Sequence, residues 1–379
     1  MKVAIIASNI LPINKDVKKG TEFFVYLFTE NLVKLYPQIK TTLFASGDSQ
    51  VSTKIFSINK TASFYDQDIG QENHKLFELA LISKAVSKQE GFNLFHIHIG
   101  NGEVFLPFAP FTKKPILITL HSSFETIYKD KYFFLFNQLK NVFFISISNN
   151  QRRILPYLNY YQTIYHGVDT NFFGFDEKGG NLLIWAGRGI PQKGLDKVLK
   201  VAEETKKPTH LLIIRKQKYL DWLKKNVIEK TQKLKKTINL ILEYESSREK
   251  LVKMYQKAKL FLNPFLWEEP FGLVMIESMA CGTPVVAFAS GSVPEVIKDG
   301  ETGFIVNSSN DDIRGNWIIK KTGIEGLCEA VERIYSMPEK QYQEMRYACR
   351  KHVEKYFTVE RMVDNYVKVY REIINKYNK

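Results

Sequence analysis

At 379 residues the chain is long enough for two to three domains of roughly 150 residues each, and it can bury a sizeable core without a disulfide or metal staple. Hydrophobic residues make up 44% and charged residues 25%, the ordinary globular range, which excludes a mainly disordered or collagen-like chain. The formal charge of +14 suits phosphates, anionic lipid or nucleic acid, but no nucleic-acid motif accompanies it and nucleic acid is not expected as a partner.

Met1–Ala7 is an apolar run too short for the core of a signal peptide and reads as a buried first strand. A long turn, Ser8 to Thr21, follows, and Gly20-Thr21-Glu22 opens an amphipathic stretch over 21–35. Further strands are expected at 41–45, 94–98, 116–120, 142–147 and 162–165, with a second helical pattern at 72–90. These runs are rich in Ile, Leu, Val and Phe and mostly do not alternate with polar residues, as in parallel strands covered on both faces. His98 ends the strand at 94–98, with Gly100-Asn101-Gly102 just beyond, and His121 follows the strand at 116–120. Carboxyl ends of parallel strands are where ligands bind, so these residues are site candidates. Asp66-Gln67-Asp68 has the form of a metal-binding Asp-x-Asp but lies in a polar stretch away from any strand end, and no metal site is expected.

Gly167, Gly174, Gly179 and Gly180 separate one set of strands from another. The expected division is a first domain over 1–172, a second over 173–354 and a terminal segment over 355–379. In the second half, strands are expected at 181–186, 210–214, 238–242, 260–263 and 284–288, and helices at 195–206, 248–258 and 273–281. Strand–helix repetition implies right-handed crossovers and two doubly wound α/β domains facing a cleft. Arg215 to Lys236 holds nine basic and two acidic residues, which reads either as a solvated helix face or as a surface for an anionic membrane. The tail carries Met362, Tyr366, Val369, Tyr370 and Ile373 at helical spacing. Cys281, Cys328 and Cys349 match no zinc or redox motif, and their odd count fits a reducing, cytoplasmic compartment.

Two segments carry chemistry. In Ala186–Leu195 a strand ends in a glycine-rich turn with two cations, Arg188 and Lys193. A P-loop requires Ser or Thr after Gly-Lys, and here Lys193-Gly194 is followed by Leu195; a dinucleotide fingerprint requires a third glycine where Gln192 stands. In Asn263–Phe288 a strand gives way to two carboxylates, then Pro270-Phe271-Gly272, then a helix from about Leu273 that Gly282-Thr283-Pro284 stops. Gly272 allows a ligand close to the backbone, and the N–H groups of the first helical turn near Leu273 and Val274 form an anion site. Glu269 precedes this helix and Glu277 lies about one turn inside it, so both can face one ligand; carboxylates accept hydrogen bonds from hydroxyls. Sugar hydroxyls plus phosphate is the implied ligand chemistry.

Glu269-x7-Glu277 with Phe271-Gly272-Leu273 inside it, followed by Ala280–Val286, resembles the signature of retaining glycosyltransferases of family 4, which have the GT-B fold of two Rossmann-like domains. Gly187-Arg188-x4-Lys193-Gly194 resembles the same family's diphosphate-binding turn. Weaker likenesses lie at Ser148 and Arg152, at His166-Gly167-Val168-Asp169, at Gly291–Glu295 and in the tail at Phe357–Met362. The resemblance implies transfer of a sugar, typically a hexosyl group, from a nucleotide diphosphate sugar to a glycan, lipid-linked or small-molecule acceptor, with retention of configuration and without a metal or other cofactor. It assigns Arg188 and Lys193 to the donor diphosphate, Glu269 and the backbone at Phe271-Gly272-Leu273 to the donor sugar, Glu277 to the ribose, Gly20 to the diphosphate's surroundings and His121 to the donor sugar. His121, Arg188, Lys193 and Glu269 are the expected catalytic group. Lys19 stands where the family commonly has a second glycine and can place charge near the acceptor; His98 and Asn101 are the candidates for facing that acceptor. The alternatives are an epimerase or hydrolase of the same fold, and a noncatalytic basic module on membranes or nucleic acid. The expected location is cytoplasmic, with peripheral membrane contact through the basic run.

Overall fold

A computed structural model describes residues 1–124 and 126–377. The chain forms two units, Met1–Tyr165 with Val359–Lys379, and His166–Thr358. In the first, the elements are β1 (Lys2–Ala7), α1 (Gly20–Leu35), β2 (Lys40–Phe44), β3 (Lys54–Phe56), α2 (Gly70–Ser87), β4 (Leu94–His98), β5 (Ile116–Thr119), α3 (Ile127–Phe134), β6 (Val142–Ser146) and β7 (Tyr160–Thr163). In the second they are β8 (Leu182–Arg188), α4 (Leu195–Thr205), β9 (Thr209–Ile214), α5 (Leu220–Leu223), α6 (Glu229–Leu234), β10 (Leu240–Tyr244) and α7 (Arg248–Gln256). There follow β11 (Ala258–Asn263), α8 (Leu273–Ala280), β12 (Val285–Phe288), α9 (Val293–Val296), β13 (Gly303–Val306), α10 (Gly323–Tyr335) and α11 (Glu339–Tyr356). Finally α12 (Val359–Tyr377) returns to the first unit.

Both sheets are parallel and doubly wound. The orders are β3-β2-β1-β4-β5-β6-β7 and β10-β9-β8-β11-β12-β13. The continuous apolar runs explain this: in β1, Val3, Ile5 and Ala7 face one core with α1 and α12, while Ala4 and Ile6 face another with Leu81, Ile82 and Ala85 of α2. A strand buried on both faces has no polar side, which is why alternation is missing from the sequence. Two strands escape the sequence reading. β3 is a three-residue edge strand, Lys54-Ile55-Phe56, and β13 is a four-residue run that begins at Gly303.

The units divide at Tyr165/His166, before the expected boundary at 172, because residues 167–175 are tied into the second unit. The Val168 N–H donates to the Phe357 carbonyl at 2.9 Å, Arg350 donates to the carbonyls of Thr170 and Phe173, and Gln256 donates to that of Gly174. The stretch 220–234 is helical, with a π turn over Lys224–Ile228 between α5 and α6. Leu223, Val227 and Leu234 are buried there, and the nine basic residues of 215–236 are all exposed.

Candidate active site

In the second unit the strand order reverses between β8 and β11, so the loops leaving their carboxyl ends diverge and open a crevice. β8 ends at Arg188, and the turn after it closes onto the loop after β11. Gly194 makes this possible: its φ is +66°, and a Cβ there would lie 2.0 Å from the Pro264 carbonyl oxygen. The Leu266 N–H donates to the Gln192 carbonyl at 2.9 Å, and the Trp185 indole donates to the Lys193 carbonyl at 3.3 Å.

This closure brings Lys193 against Glu269. The ammonium lies 2.5 Å from the carboxylate, with both side chains close to nine-tenths buried. Lys193 also stacks over Phe265 at 4.4 Å and Trp267 at 4.9 Å, and Arg188 lies 5.8 Å from the Trp267 ring. The Trp267 indole N–H donates to the same Glu269 oxygen at 2.8 Å. Burial pushes the Lys193 pKa down, an effect that Glu269 opposes and Arg188 reinforces. Lys193 therefore sits in a low-dielectric setting where a ligand anion would interact with it strongly, while Arg188 stands exposed at the mouth of the site. Trp267 was not singled out from sequence; the signal for it was an aromatic residue beside the two carboxylates.

Glu269 is held from behind. Its carbonyl accepts from the Ser292 N–H at 3.0 Å, the Ser292 hydroxyl donates to the Phe271 carbonyl at 2.7 Å, and Glu268 accepts from the Gly291 N–H at 2.8 Å and pairs with Arg314. Gly291 must be glycine, since a Cβ would lie 2.3 Å from the Glu269 carbonyl oxygen. The same clamp sets Gly272, left-handed at φ +80°, as the N-cap of α8, so that the amides of Leu273 and Val274 open the helix beside Glu269. Glu277 lies one turn in and is buried, with the Tyr255 hydroxyl 3.4 Å away. Burial raises its pKa, against the pull of Arg248 and the Tyr255 hydrogen bond. Neither Arg248 nor Tyr255 has a sequence motif to announce it. Beside Arg188 an open cavity of about 420 Å³ is lined by Gln192, Lys216, Lys218, Tyr219 and Trp267, so the basic run begins at this site. Arg188, Lys193, Glu269, Phe271, Gly272, Leu273 and Val274 thus come together in one unit, with Glu277 one turn along α8.

The remaining candidates lie in the first unit. Gly20 opens α1, and an added Cβ would meet nothing within 4 Å. Lys19 pairs with the buried Glu22 at 2.6 Å. His121 is half-buried after β5, with its Nε2 2.9 Å from His98 Nδ1 and Phe24 packed edge-on against its ring. His98 and Asn101, expected to face the acceptor, are both buried. His98 is 1% exposed, and its two ring nitrogens lie against His121 and His96. Asn101 is fully buried, and its amide exchanges hydrogen bonds with the Ser122 backbone at 2.8 and 3.2 Å. Both support the loop that carries His121. His166 is buried with its ring 5.1 Å from that of Phe271. Among the described residues, no group of three or more His, Cys, Asp or Glu side chains is arranged to hold a metal ion.

Two parallel α/β units with these strand orders define the GT-B fold. The chain superposes on sucrose-phosphate synthase from Thermosynechococcus elongatus over 99% of both chains, with a TM-score of 0.75 at 19% identity. It superposes on Anabaena Alr3699/HepE in complex with UDP-glucose over 100% of this chain and 99% of that one, with a TM-score of 0.68 at 14% identity. Within the fold, residues 169–352 match the family of glycosyl transferases group 1. Over 140 residues, 36% of this chain and 31% of the relative, it is 34% identical to D-inositol 3-phosphate glycosyltransferase of Mycobacterium leprae. Over 71 residues, 19% of this chain and 15% of the relative, it is 48% identical to the enzyme of that name from Mycobacterium sp. strain KMS. The matched stretch therefore spans less than a third of either relative.

Proposed function

We propose that the protein is a glycosyltransferase of family 4 that moves a hexosyl group from a nucleotide diphosphate sugar to an acceptor hydroxyl with retention of configuration. The observation that carries this reading is the convergence, at the strand-order reversal of the second unit, of Arg188, the Lys193–Glu269 pair and the amino end of α8. As the bond from C1 of the sugar to the phosphate oxygen breaks, negative charge grows on the departing diphosphate. Arg188, Lys193 and the amides of Leu273 and Val274 oppose that charge, and preorganised groups of this kind usually supply the largest catalytic term. Glu269 accepts hydroxyls of the sugar, and Glu277 accepts those of the ribose. These groups provide the counter-charge from side chains and backbone, so the proposed reaction proceeds without a metal.

A product assay tests the reading. Sugar nucleotides are incubated with and without glycan, lipid-linked and inositol-type acceptors, each with and without EDTA. Acceptor-dependent, EDTA-resistant product with the donor's anomeric configuration is expected. Sugar release or epimerisation that ignores the acceptor would identify a same-fold hydrolase or epimerase instead.

The exposed cations of 215–236 support a second proposal, peripheral contact with an anionic cytoplasmic membrane face. Each Lys or Arg near such a surface is worth about 1 kcal/mol. Cosedimentation with anionic vesicles, lost in high salt and reduced by Lys→Glu changes at Lys233, Lys235 and Lys236, is the expected result; no cosedimentation at low salt would reject it. No helix among the described residues is long and apolar enough to cross a membrane.

A further inference from the structure

Glu268 is a carboxylate of the candidate site to which the donor chemistry gives no task. It stands next to Glu269 in the chain, but both of its oxygens are engaged elsewhere. Oε2 accepts from the Gly291 N–H at 2.8 Å, and Oε1 pairs with the Arg314 guanidinium. Arg314 comes from the segment 307–322 between β13 and α10, and that segment is tied to itself and to the sheet. Asn307 is 6% exposed; it accepts from the Arg314 N–H at 2.9 Å and from the Trp317 indole at 3.1 Å, and it donates to the Gly315 carbonyl at 3.0 Å. Asp299 accepts from the N–H of Ile305 in β13 at 3.0 Å and from that of Ile318 at 2.6 Å. Ile319 is buried in the core of the second unit. Arg314 is therefore fixed at its main chain. Its side chain is aimed by Asp312, which accepts from Arg314 Nε at 2.8 Å and from the Ser308 hydroxyl at 2.7 Å.

The anchoring of Glu268 bears on Glu269 in two ways. Gly291 lies so close to this turn that a Cβ on it would stand 2.4 Å from the Glu269 nitrogen and 2.9 Å from the Glu268 carbonyl carbon. A carboxylate held by Gly291 and Arg314 thus fixes the main chain from which the Glu269 side chain extends. The second way is electrostatic. Two adjacent carboxylates beside one buried ammonium compete for it, and Arg314 gives Glu268 a cation of its own, leaving Lys193 to Glu269. A guanidinium suits this bridge, because its fork serves Asp312 through Nε and Glu268 through a terminal nitrogen. The Arg314–Glu268 pair is about one-third exposed, so it adds little to stability. Its effect lies in placement.

We propose that Arg314, acting through Glu268, is a positioning residue that fixes the Glu269 carboxylate for the donor sugar, which makes the 307–322 segment part of the site. The link to a sugar rests on the glycosyltransferase reading; the coupling of Arg314 to Glu269 does not.

The Trp267 indole N–H donates to Glu269 at 2.8 Å and reports that coupling without any ligand. The tryptophans are Trp185, Trp222, Trp267 and Trp317, so the full chain labelled with ¹⁵N-indole tryptophan gives four indole signals in proton–nitrogen NMR, and Trp267→Phe assigns the relevant one. Arg314→Ala is expected to shift or split the Trp267 signal while that of Trp222 in α5 stays in place and the melting temperature changes little. Arg314→Lys, which keeps the cation, is expected to move the signal back toward wild type. In a Glu268→Ala background, Arg314→Ala is expected to add no further shift. An unchanged Trp267 signal in Arg314→Ala would overturn the inference, as would a full additional shift in the Glu268→Ala background. With a sugar nucleotide that proves to be a donor, Arg314→Ala is expected to lower kcat/KM by up to about a hundredfold, with partial rescue in Arg314→Lys, and to leave the affinity for the free nucleoside diphosphate unchanged. Equal losses of affinity for donor and free diphosphate would overturn the role toward the sugar. A Trp267 signal that responds to Arg314, in a protein that binds no sugar nucleotide, would refute the glycosyltransferase reading and leave the coupling standing.

Discussion

Lys193 and Glu269 form the pair on which the site turns. Replacing Arg188 or Lys193 by Ala is expected to lower kcat by roughly 10²–10³ while weakening donor binding less, because in the proposed reaction their charge matters most as the diphosphate departs. Steady-state kinetics check this, and near-wild-type turnover in both variants would contradict it. Lys193→Ala also strands the buried Glu269 carboxylate, so a loss of about 3 kcal/mol of stability is expected in denaturant titrations. Glu277 should behave in the opposite way. Burial raises its pKa in the folded state, so the ionised form is disfavoured. Its contribution to stability is unfavourable above the raised pKa and disappears as pH falls below the unfolded value. Glu277→Gln keeps a hydrogen-bond acceptor for Tyr255 without the buried charge. It is expected to match or exceed wild-type Tm at neutral pH, yet bind a nucleoside diphosphate about tenfold or more weakly. Glu269→Ala should retain that nucleotide and lose affinity for the sugar-bearing donor. Titration calorimetry and thermal melts distinguish these outcomes.

At the scale of elements, α8 is fixed at both ends. Gly272 and the Ser292 clamp set its amino end; its carboxyl end is covered by two arginines of α11. Arg346, fully buried, donates to the carbonyls of Asp176, Ala258 and Cys281, and Arg350 donates to that of Ala280. Cations at a helix carboxyl end complement its dipole and leave the amino end of α8 to a ligand. Arg346→Met removes these donors and leaves several carbonyls unsatisfied. A loss of about 3 kcal/mol or more is expected in denaturant unfolding, and a loss below about 1 kcal/mol would contradict the role. The sequence did not reveal this. Tyr342, Met345, Arg346, Cys349, His352 and Val353 form the buried face of α11, and a buried arginine and histidine within that face obscure the apolar stripe. By contrast α8 and β11 were legible, because a β-strand, a proline, a left-handed glycine and a helix follow within a short stretch. His98 and Asn101 were legible as strand-end residues, but their inward orientation was not: it depends on His96 and on the loop after β5, which meet them only in three dimensions.

Across the whole molecule, the chain crosses out of its first unit at Tyr165 and returns with α12. That return buries Val359, Met362, Val363, Tyr366, Val367, Val369, Tyr370 and Ile373, each worth roughly 1.5–3 kcal/mol. The tail's helical period was legible in sequence, whereas the contact of its Tyr370 hydroxyl with the buried His96 was not. The buried imidazoles of the first unit also set an acid limit. His96 and His121 have pKa values below that of the unfolded chain, so unfolding takes up protons once pH falls below about 6.5. Stability conferred by the neutral rings is complete above that pH and is lost as pH falls, for His121 down to about 3. The expected slope is about 1.4 kcal/mol per pH unit for each imidazole. Denaturant unfolding of the first unit between pH 6.5 and pH 5 should show it, and His96→Asn should reduce it by one proton; identical slopes would contradict the assignment.

The central claim is that the second unit binds a sugar nucleotide through Arg188, Lys193 and the amino end of α8. A thermal-shift screen of UDP-, GDP-, ADP- and TDP-sugars against the wild-type chain and the Arg188→Ala/Lys193→Ala double variant tests it most directly. At a hundred times its dissociation constant a bound donor stabilises the protein by about 2.7 kcal/mol. At least one sugar nucleotide is expected to raise the wild-type Tm and to have no effect on the double variant. No shift with any of them, or the same shift in both proteins, would contradict it.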